Sequence, residues 1–205
     1  SSGVSILHDE GYDVETEIGQ LRGTVIEVGG PTPRGYELLR DIDLPARPII
    51  TNRASAFQLA RPGKVSDLTA LDRLTIDFMA DAGQLPLGDK SVGIMMSSCL
   101  NYISNNDCAI ENVPSKKEEI YNSAILKVLS GKRVVEEKAQ SPRVAFLLEA
   151  SRLVKDDGIV IIRGVDPLDI KLANSLGFAV RARTVGSREG QDDSDADSDI
   201  MIGRE

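Results

Sequence analysis

Thr24-Val25-Ile26-Glu27-Val28 runs without a break into Gly29-Gly30-Pro31. Five residues of strand type ending in an acid and a double glycine constrain the fold more than any other stretch. A buried strand must stop there, and glycine lets the chain turn where a Cβ would block it and lets backbone approach a nucleotide-like ligand closely.

The rest of the chain alternates between strand-like and helix-like segments. Residues 48–51 predict a second short strand, ending at Asn52, after Pro45 and Pro48 frame a loop. Leu74, Ile76 and Phe78 alternate across a third strand over 73–79. Val92–Ser97 follows the turn Asp89-Lys90 and is apolar on both faces, as a central parallel strand should be. Residues 34–40 are a short helical candidate. Residues 116–130 predict a helix with Tyr121, Ile125, Val128 and Leu129 on one face and Gly131 at its end. Ser141-Pro142 reads as an N-cap with proline at the first helical position, opening a helix to about Lys155 with Phe146, Ala150 and Leu153 inward. Asp157-Gly158 is expected to turn into a fifth strand, Ile159–Arg163. A helix over 167–176 ends at Gly177, and strands at 178–184 and 199–202 close the chain. This pattern predicts one α/β domain over 1–205, doubly wound, with a seven-stranded, mostly parallel, Rossmann-like sheet and one antiparallel edge hairpin. Residues 4–22 are a helical or irregular lead-in, and 186–198 form a mobile acidic loop.

Composition narrows the function. The net charge is −8, but Glu189, Asp192, Asp193, Asp195, Asp197 and Asp199 against Arg188 contribute −5, which leaves −3 for the rest. No basic stripe is present to neutralise a phosphate backbone, so nucleic acid is disfavoured as a partner. No apolar run reaches the ~18–20 residues of a membrane helix, and residues 1–30 lack a secretory pattern. Cys99 and Cys108 make no zinc spacing with the sole histidine, His8, so a cytoplasmic protein with free thiols and no metal is expected. A calcium loop starting at Asp193 would need glycine sixth and glutamate twelfth, where Ser198 and Arg204 stand.

Four stretches, in order across about residues 23–203, resemble the class I S-adenosylmethionine-dependent methyltransferases. Val25–Gly30 is similar to the family's acid-x-glycine loop after the first strand. Asp81-Ala82-Gly83-Gln84-Leu85-Pro86-Leu87-Gly88-Asp89-Lys90-Ser91-Val92 is similar to the passage between its third and fourth strands. Glu149–Gly158 resembles the stretch ahead of its fifth strand, and Leu176-Gly177-Phe178 the opening of its sixth. The resemblance implies S-adenosylmethionine as cofactor, bound by Glu27, Gly29, Gly30, Pro31, Asn52, Asp81, Ala82, Ser97 and Ser98. Glu27 would serve the amino-acid end, Asn52 the ribose, and Asp81 the adenine amino group beside Ala82, with Ser97 and Ser98 flooring the pocket. The chain departs from the family in placing Pro31 and Pro33 in the glycine loop, which removes two amide donors. It also carries Asn52 where an acid usually holds the ribose.

The implied reaction is an in-line methyl transfer in which the protein contributes positioning and desolvation, and no catalytic base stands out. Residues 101–140 form the longest stretch between strands and are expected to build the acceptor side, with Asn101 and Tyr102 in contact with a small-molecule acceptor. Cys99 does not sit in the Pro-Cys context of cytosine-C5 enzymes, and Asn101-Tyr102 is not the Asn-Pro-Pro-Tyr of adenine amino-methylation. Two other readings stand beside this one. A non-catalytic module on the same fold would suit the altered glycine loop. A nicotinamide oxidoreductase would need Gly-x-Gly-x-x-Gly leading into a helix, and Pro31 and Pro33 replace that pattern.

Overall fold

The computed structural model describes residues 5–8, 23–29, 47–52, 76–97, 114–162, 165–185 and 198–204. Eight strands form one sheet: β1 (Ser5–His8), β2 (Thr24–Val28), β3 (Ile49–Asn52), β4 (Phe78–Met79), β5 (Val92–Ser97), β6 (Val154–Ile162), β7 (Phe178–Val185) and β8 (Ser198–Arg204). Their order is β1-β7-β8-β6-β5-β2-β3-β4. The pairs β2–β3, β3–β4, β2–β5 and β5–β6 are parallel, and β8 lies antiparallel between β6 and β7. From the central pair β2 and β5 the chain winds outward in both directions, so the fold is a doubly wound, mostly parallel, Rossmann-like α/β sheet.

The sheet has eight strands rather than seven because Ser5–His8, expected in an irregular lead-in, pairs antiparallel with β7 along 182–185. The closing hairpin is therefore not an edge: β8 is interior, and β1 covers the outer side of β7. Of the expected third strand only Phe78–Met79 pairs; Ile76 and Asp77 are outside it, and 73–75 lie outside the described residues. The candidate helix at 34–40 also lies outside them.

Four helices are described: α1 (Pro114–Leu129), α2 (Glu136–Gln140), α3 (Pro142–Leu153) and α4 (Pro167–Ser175). The side chain of Ser141 accepts from the Val144 amide at 3.2 Å, and Pro142 follows in the first turn, as the sequence implies. Asp166 caps α4 in a reciprocal box with Asp169. Gly131 and Gly177 adopt φ of +66° and +82° just past the ends of α1 and α4, a conformation that stops a helix and that glycine adopts without strain. α3 packs on β5 and β6, α4 on α3 and β7, and α1 on α4.

The core lies between this helix layer and the sheet, with Ile26, Met95, Val160 and Ile162 from strands and Phe146, Leu147, Ala150 and Leu153 from α3 all fully buried. α1 turns inward through Ile120, Tyr121 and Ala124, whereas Leu129, expected inward, is 69% exposed. Leu129 lies in the last turn, where Val128 beside it packs against the core. β6 begins at Val154 rather than Ile159, so Asp157-Gly158 is not a turn ahead of the strand. The register jumps from Val92↔Val154 to Ile94↔Ile159, so the extra residues bulge outward with Asp156 and Asp157 exposed. Gly158 is required there, since a Cβ would sit 2.6 Å from Val154 Cγ1 and 2.8 Å from the Gly93 carbonyl oxygen.

Candidate cofactor site

β2 and β5 are neighbours in the sheet, but the chain leaves β2 toward β3 and later leaves β5 toward β6. Open α/β sheets bind ligands at the carboxyl ends of strands where the order reverses in this way. A cavity of about 770 Å³ lies there. It is lined by Val28 and Gly29 from the end of β2, by Ala80–Gln84, and by side chains of α2 and α3 that include Lys138, Ala145, Glu149 and Arg152. That volume falls within the several hundred Å³ usual for small-molecule sites.

The β2 side of the cavity is built by backbone. Gly29 has φ of +80°, and its amide donates to the Thr51 carbonyl at 2.9 Å, which ties the turn to β3. Glu27 is buried in β2, in register with Ile50 and Met96, and is not among the cavity-lining residues. Asn52 and Ser97 are the buried last residues of β3 and β5, on the same carboxyl edge but outside the lining.

The opposite side is a loop. The Asp81 carboxylate accepts the Gly83 amide at 2.9 Å, closing an Asx turn, and the Gln84 amide donates to the Asp81 carbonyl at 3.0 Å. Asp81 is exposed to the cavity and Ala82 half-buried beside it. A carboxylate has about four acceptor positions, and this turn uses one of them on the Gly83 amide. Gly83 is buried, and a Cβ there would lie 2.8 Å from Lys138 Cε and 2.9 Å from Ala145 Cβ. Lys138 donates from Nζ to the Gly83 carbonyl at 2.6 Å.

Past Gly83 the loop is clamped from α3. Glu149 accepts the Leu85 amide at 2.9 Å. Arg152 donates to the carbonyls of Leu85 at 3.0 Å and Leu87 at 2.9 Å, and pairs with Asp89 at 2.7 Å and with Glu149. The Glu149 and Asp89 carboxylates hold the guanidinium protonated at every accessible pH. The sequence resemblance contained both partners, in its second and third stretches, without showing that they meet. The signal available was only that an acid and an arginine three apart on a helix can act together.

Of the expected cofactor residues, then, Gly29, Asp81 and Ala82 meet around one cavity, while Glu27, Asn52 and Ser97 stand on the strand ends behind it. Gly30, Pro31, Ser98, Asn101 and Tyr102 lie outside the described residues, as does Cys99. Val134, Val135, Lys138, Glu149 and Arg152 join the lining without having been anticipated. His8, the sole histidine, lies in β1 opposite Ala182, with β7, β8, β6 and β5 between it and β2. Among the described residues there is no cluster of metal-ligating side chains, and no helix is long and apolar enough to cross a membrane.

No family model matches the chain, and no curated protein matches it in sequence. Solved structures similar to it include geranyl diphosphate C-methyltransferase from Streptomyces coelicolor, at 9% identity and a TM-score of 0.49 over 93% of this chain and 74% of that one. The methyltransferase of the Haloferax volcanii complex with the Trm112 methyltransferase activator gives 13% identity and 0.48 over 92% and 86%. A TehB-like SAM-dependent methyltransferase from Corynebacterium glutamicum gives 10% and 0.41 over 95% and 90%. At these identities and scores no activity or substrate is carried over, and the fold rests on the strand order itself.

Proposed function

We propose that the chain is an S-adenosylmethionine-dependent methyltransferase acting on a small-molecule acceptor. The observation that carries this reading is the meeting of Gly29 and the Asp81-Ala82-Gly83 turn around one cavity at the reversal of strand order. These are the two stretches in which the sequence most resembles the family's cofactor loops. When bound, S-adenosylmethionine supplies an electrophilic methyl group on its sulfonium sulfur. Gly29 lets the backbone approach, Asp81 accepts from the adenine edge, and Ala82 and Ala145 give the base an apolar wall. Glu27, Asn52 and Ser97 line the strand ends that face the rest of the cofactor. Gly30, Pro31 and Ser98 are assigned to the same contacts, and Asn101 and Tyr102 to the acceptor side.

The non-catalytic alternative is favoured by Asn52, which offers the ribose hydrogen bonds but no charge. One calorimetric experiment separates the S-adenosylmethionine readings from the nicotinamide one. Purified protein titrated with S-adenosylmethionine and with NAD should bind only the first, and Asp81→Ala should weaken that binding by about 1–3 kcal/mol, the cost of a buried donor left unpaired. Binding of NAD alone, or of neither, would overturn the cofactor assignment. Hydrogen exchange on the same samples reads the acceptor side. Protection appearing at 101–115 with cofactor and a candidate acceptor supports the acceptor-side assignment, and a segment strongly protected in the free protein and unchanged with any ligand would make it structural, with the acceptor site to be sought near residues 4–22.

A further inference from the structure

Lys138 holds, through its head group, the turn that the adenine would contact. It sits on α2, at the end of the segment 101–140 assigned to the acceptor side. The residue before it, Glu137, is 4% exposed and faces the other way. It accepts from Ser123 at 2.5 Å and pairs with Lys127 at 2.6 Å, both on α1. Two consecutive residues of one short helix thus anchor opposite sides: Glu137 fixes α2 to α1, and Lys138 reaches across to the Gly83 carbonyl at 2.6 Å. The Lys138 stem packs so closely on Gly83 that no Cβ fits between them.

Within the Asp81–Gln84 turn, Asp81 Oδ1 accepts the Gly83 amide and the Asp81 carbonyl accepts the Gln84 amide, both short-range bonds. Such a turn sets its own curvature but not its position relative to α3. The Glu149 and Arg152 contacts begin at Leu85, beyond the turn. The Lys138 bond ties the turn to a residue 55 positions away, and a peptide carbonyl held by an ammonium restrains the plane of the Gly83-Gln84 peptide. That plane orients the amides that would meet the adenine ring.

We propose that Lys138 is a positioning residue for cofactor binding: by holding the Gly83 carbonyl it keeps the Asp81–Gln84 turn in its ligand-accepting form and carries the position of α2, and so of the acceptor-side segment, to the cofactor subsite. The proposal rests on the cofactor reading above. It makes Lys138 act through the loop rather than on the reacting atoms.

The test compares Lys138→Met, which keeps the packed stem and removes the donor, with Lys138→Arg, which keeps a donor. S-adenosylhomocysteine binding is followed by calorimetry, and amide exchange at 83–85 and thermal unfolding are followed in the free protein. Lys138→Met should bind about five- to tenfold more weakly, as loss of one charge-assisted hydrogen bond implies. Exchange at 83–85 should quicken while the melting temperature stays near that of the wild type, and Lys138→Arg should recover most of the affinity. Wild-type affinity and unchanged exchange in Lys138→Met would overturn the proposal, as would a loss of affinity matched by general destabilisation that Lys138→Arg does not rescue. Should the wild type bind no S-adenosylhomocysteine, the cofactor reading falls; the exchange at 83–85 in the free variant still decides whether Lys138 holds the turn.

Discussion

The two walls of the cavity are held in different ways. On the β2 side the Gly29 turn is an extension of the sheet: its amide bonds to Thr51 in the adjacent strand, and its register follows that of β2 and β3. On the other side, residues 81–89 belong to the loop that joins β4 to β5. They are fixed by three side chains, Lys138, Glu149 and Arg152, from helices more than fifty residues further along the chain. A wall built from ladder bonds opens only when the sheet opens. A wall built from side-chain clamps can loosen alone, so the cavity can change shape without unfolding its core.

The sharpest way to break this comparison is to remove Glu149. Glu149→Ala leaves the buried Leu85 amide without its acceptor and Arg152 without its partner, at a cost of about 2–4 kcal/mol. Urea unfolding should show that loss, and exchange should rise at 85–89 while the amides of β2 stay protected. A loss under about 1 kcal/mol would mean that the loop is held by Leu85 burial rather than by the clamp.

A smaller effect is expected on the other wall. Gly29→Ala places a Cβ at φ of +80° and should cost about 1–2 kcal/mol. Because the turn belongs to the sheet, the loss should appear in global stability and leave exchange at 85–89 unchanged. Faster exchange at 85–89 in this variant would show that the walls are coupled, and the contrast between them would fail.

The smallest effect concerns the anchor of α2. Burial pushes the Glu137 carboxyl up, but the hydrogen bonds from Lys127 and Ser123, with the Lys127 charge, outweigh it and hold the group below the usual carboxylate range. A carboxyl with a depressed folded pKa stabilises the protein above its unfolded value, about 4.3, and loses that contribution as pH falls through the folded value. Asp166 acts in the same sense: burial raises it, and Lys117, the Leu168 amide and the Arg143 charge together lower it. The melting temperature should therefore hold steady from pH 7 to about 5 and fall below that. Glu137→Gln should make the fall shallower. Identical slopes for the two proteins would remove Glu137 from the acid transition.

Several elements were legible because their signals are local. The run Thr24–Val28 is a strand, Ser141-Pro142 opens a helix, and Gly131 and Gly177 end helices with positive φ. Of the residues picked out by resemblance for the candidate site, Gly29, Asp81 and Ala82 line one cavity. Leu129 was misplaced because helical spacing defines a face but not which residues at its end are covered. Ser5–His8 was missed because an edge strand needs no buried alternation; it needs only the free side of β7. Asp157-Gly158 looked like a turn because Asp-Gly favours one, and the same dipeptide serves a bulge within a strand equally well.

By itself, the sequence determined the succession of strands and helices, since strand and helix periodicities, caps and glycine turns act over a few neighbouring residues. It also pointed to the short glycine and aspartate stretches that line the cavity. Tertiary structure alone decided that Lys138, Glu149 and Arg152 converge on residues 83–89, and that Glu137 faces α1 while Lys138 faces the turn. Those contacts join residues from 10 (Lys127 to Glu137) to 67 positions apart. Their partners are set by where the sheet order places β4 and β5 relative to α2 and α3, and no local pattern of residues encodes that distance.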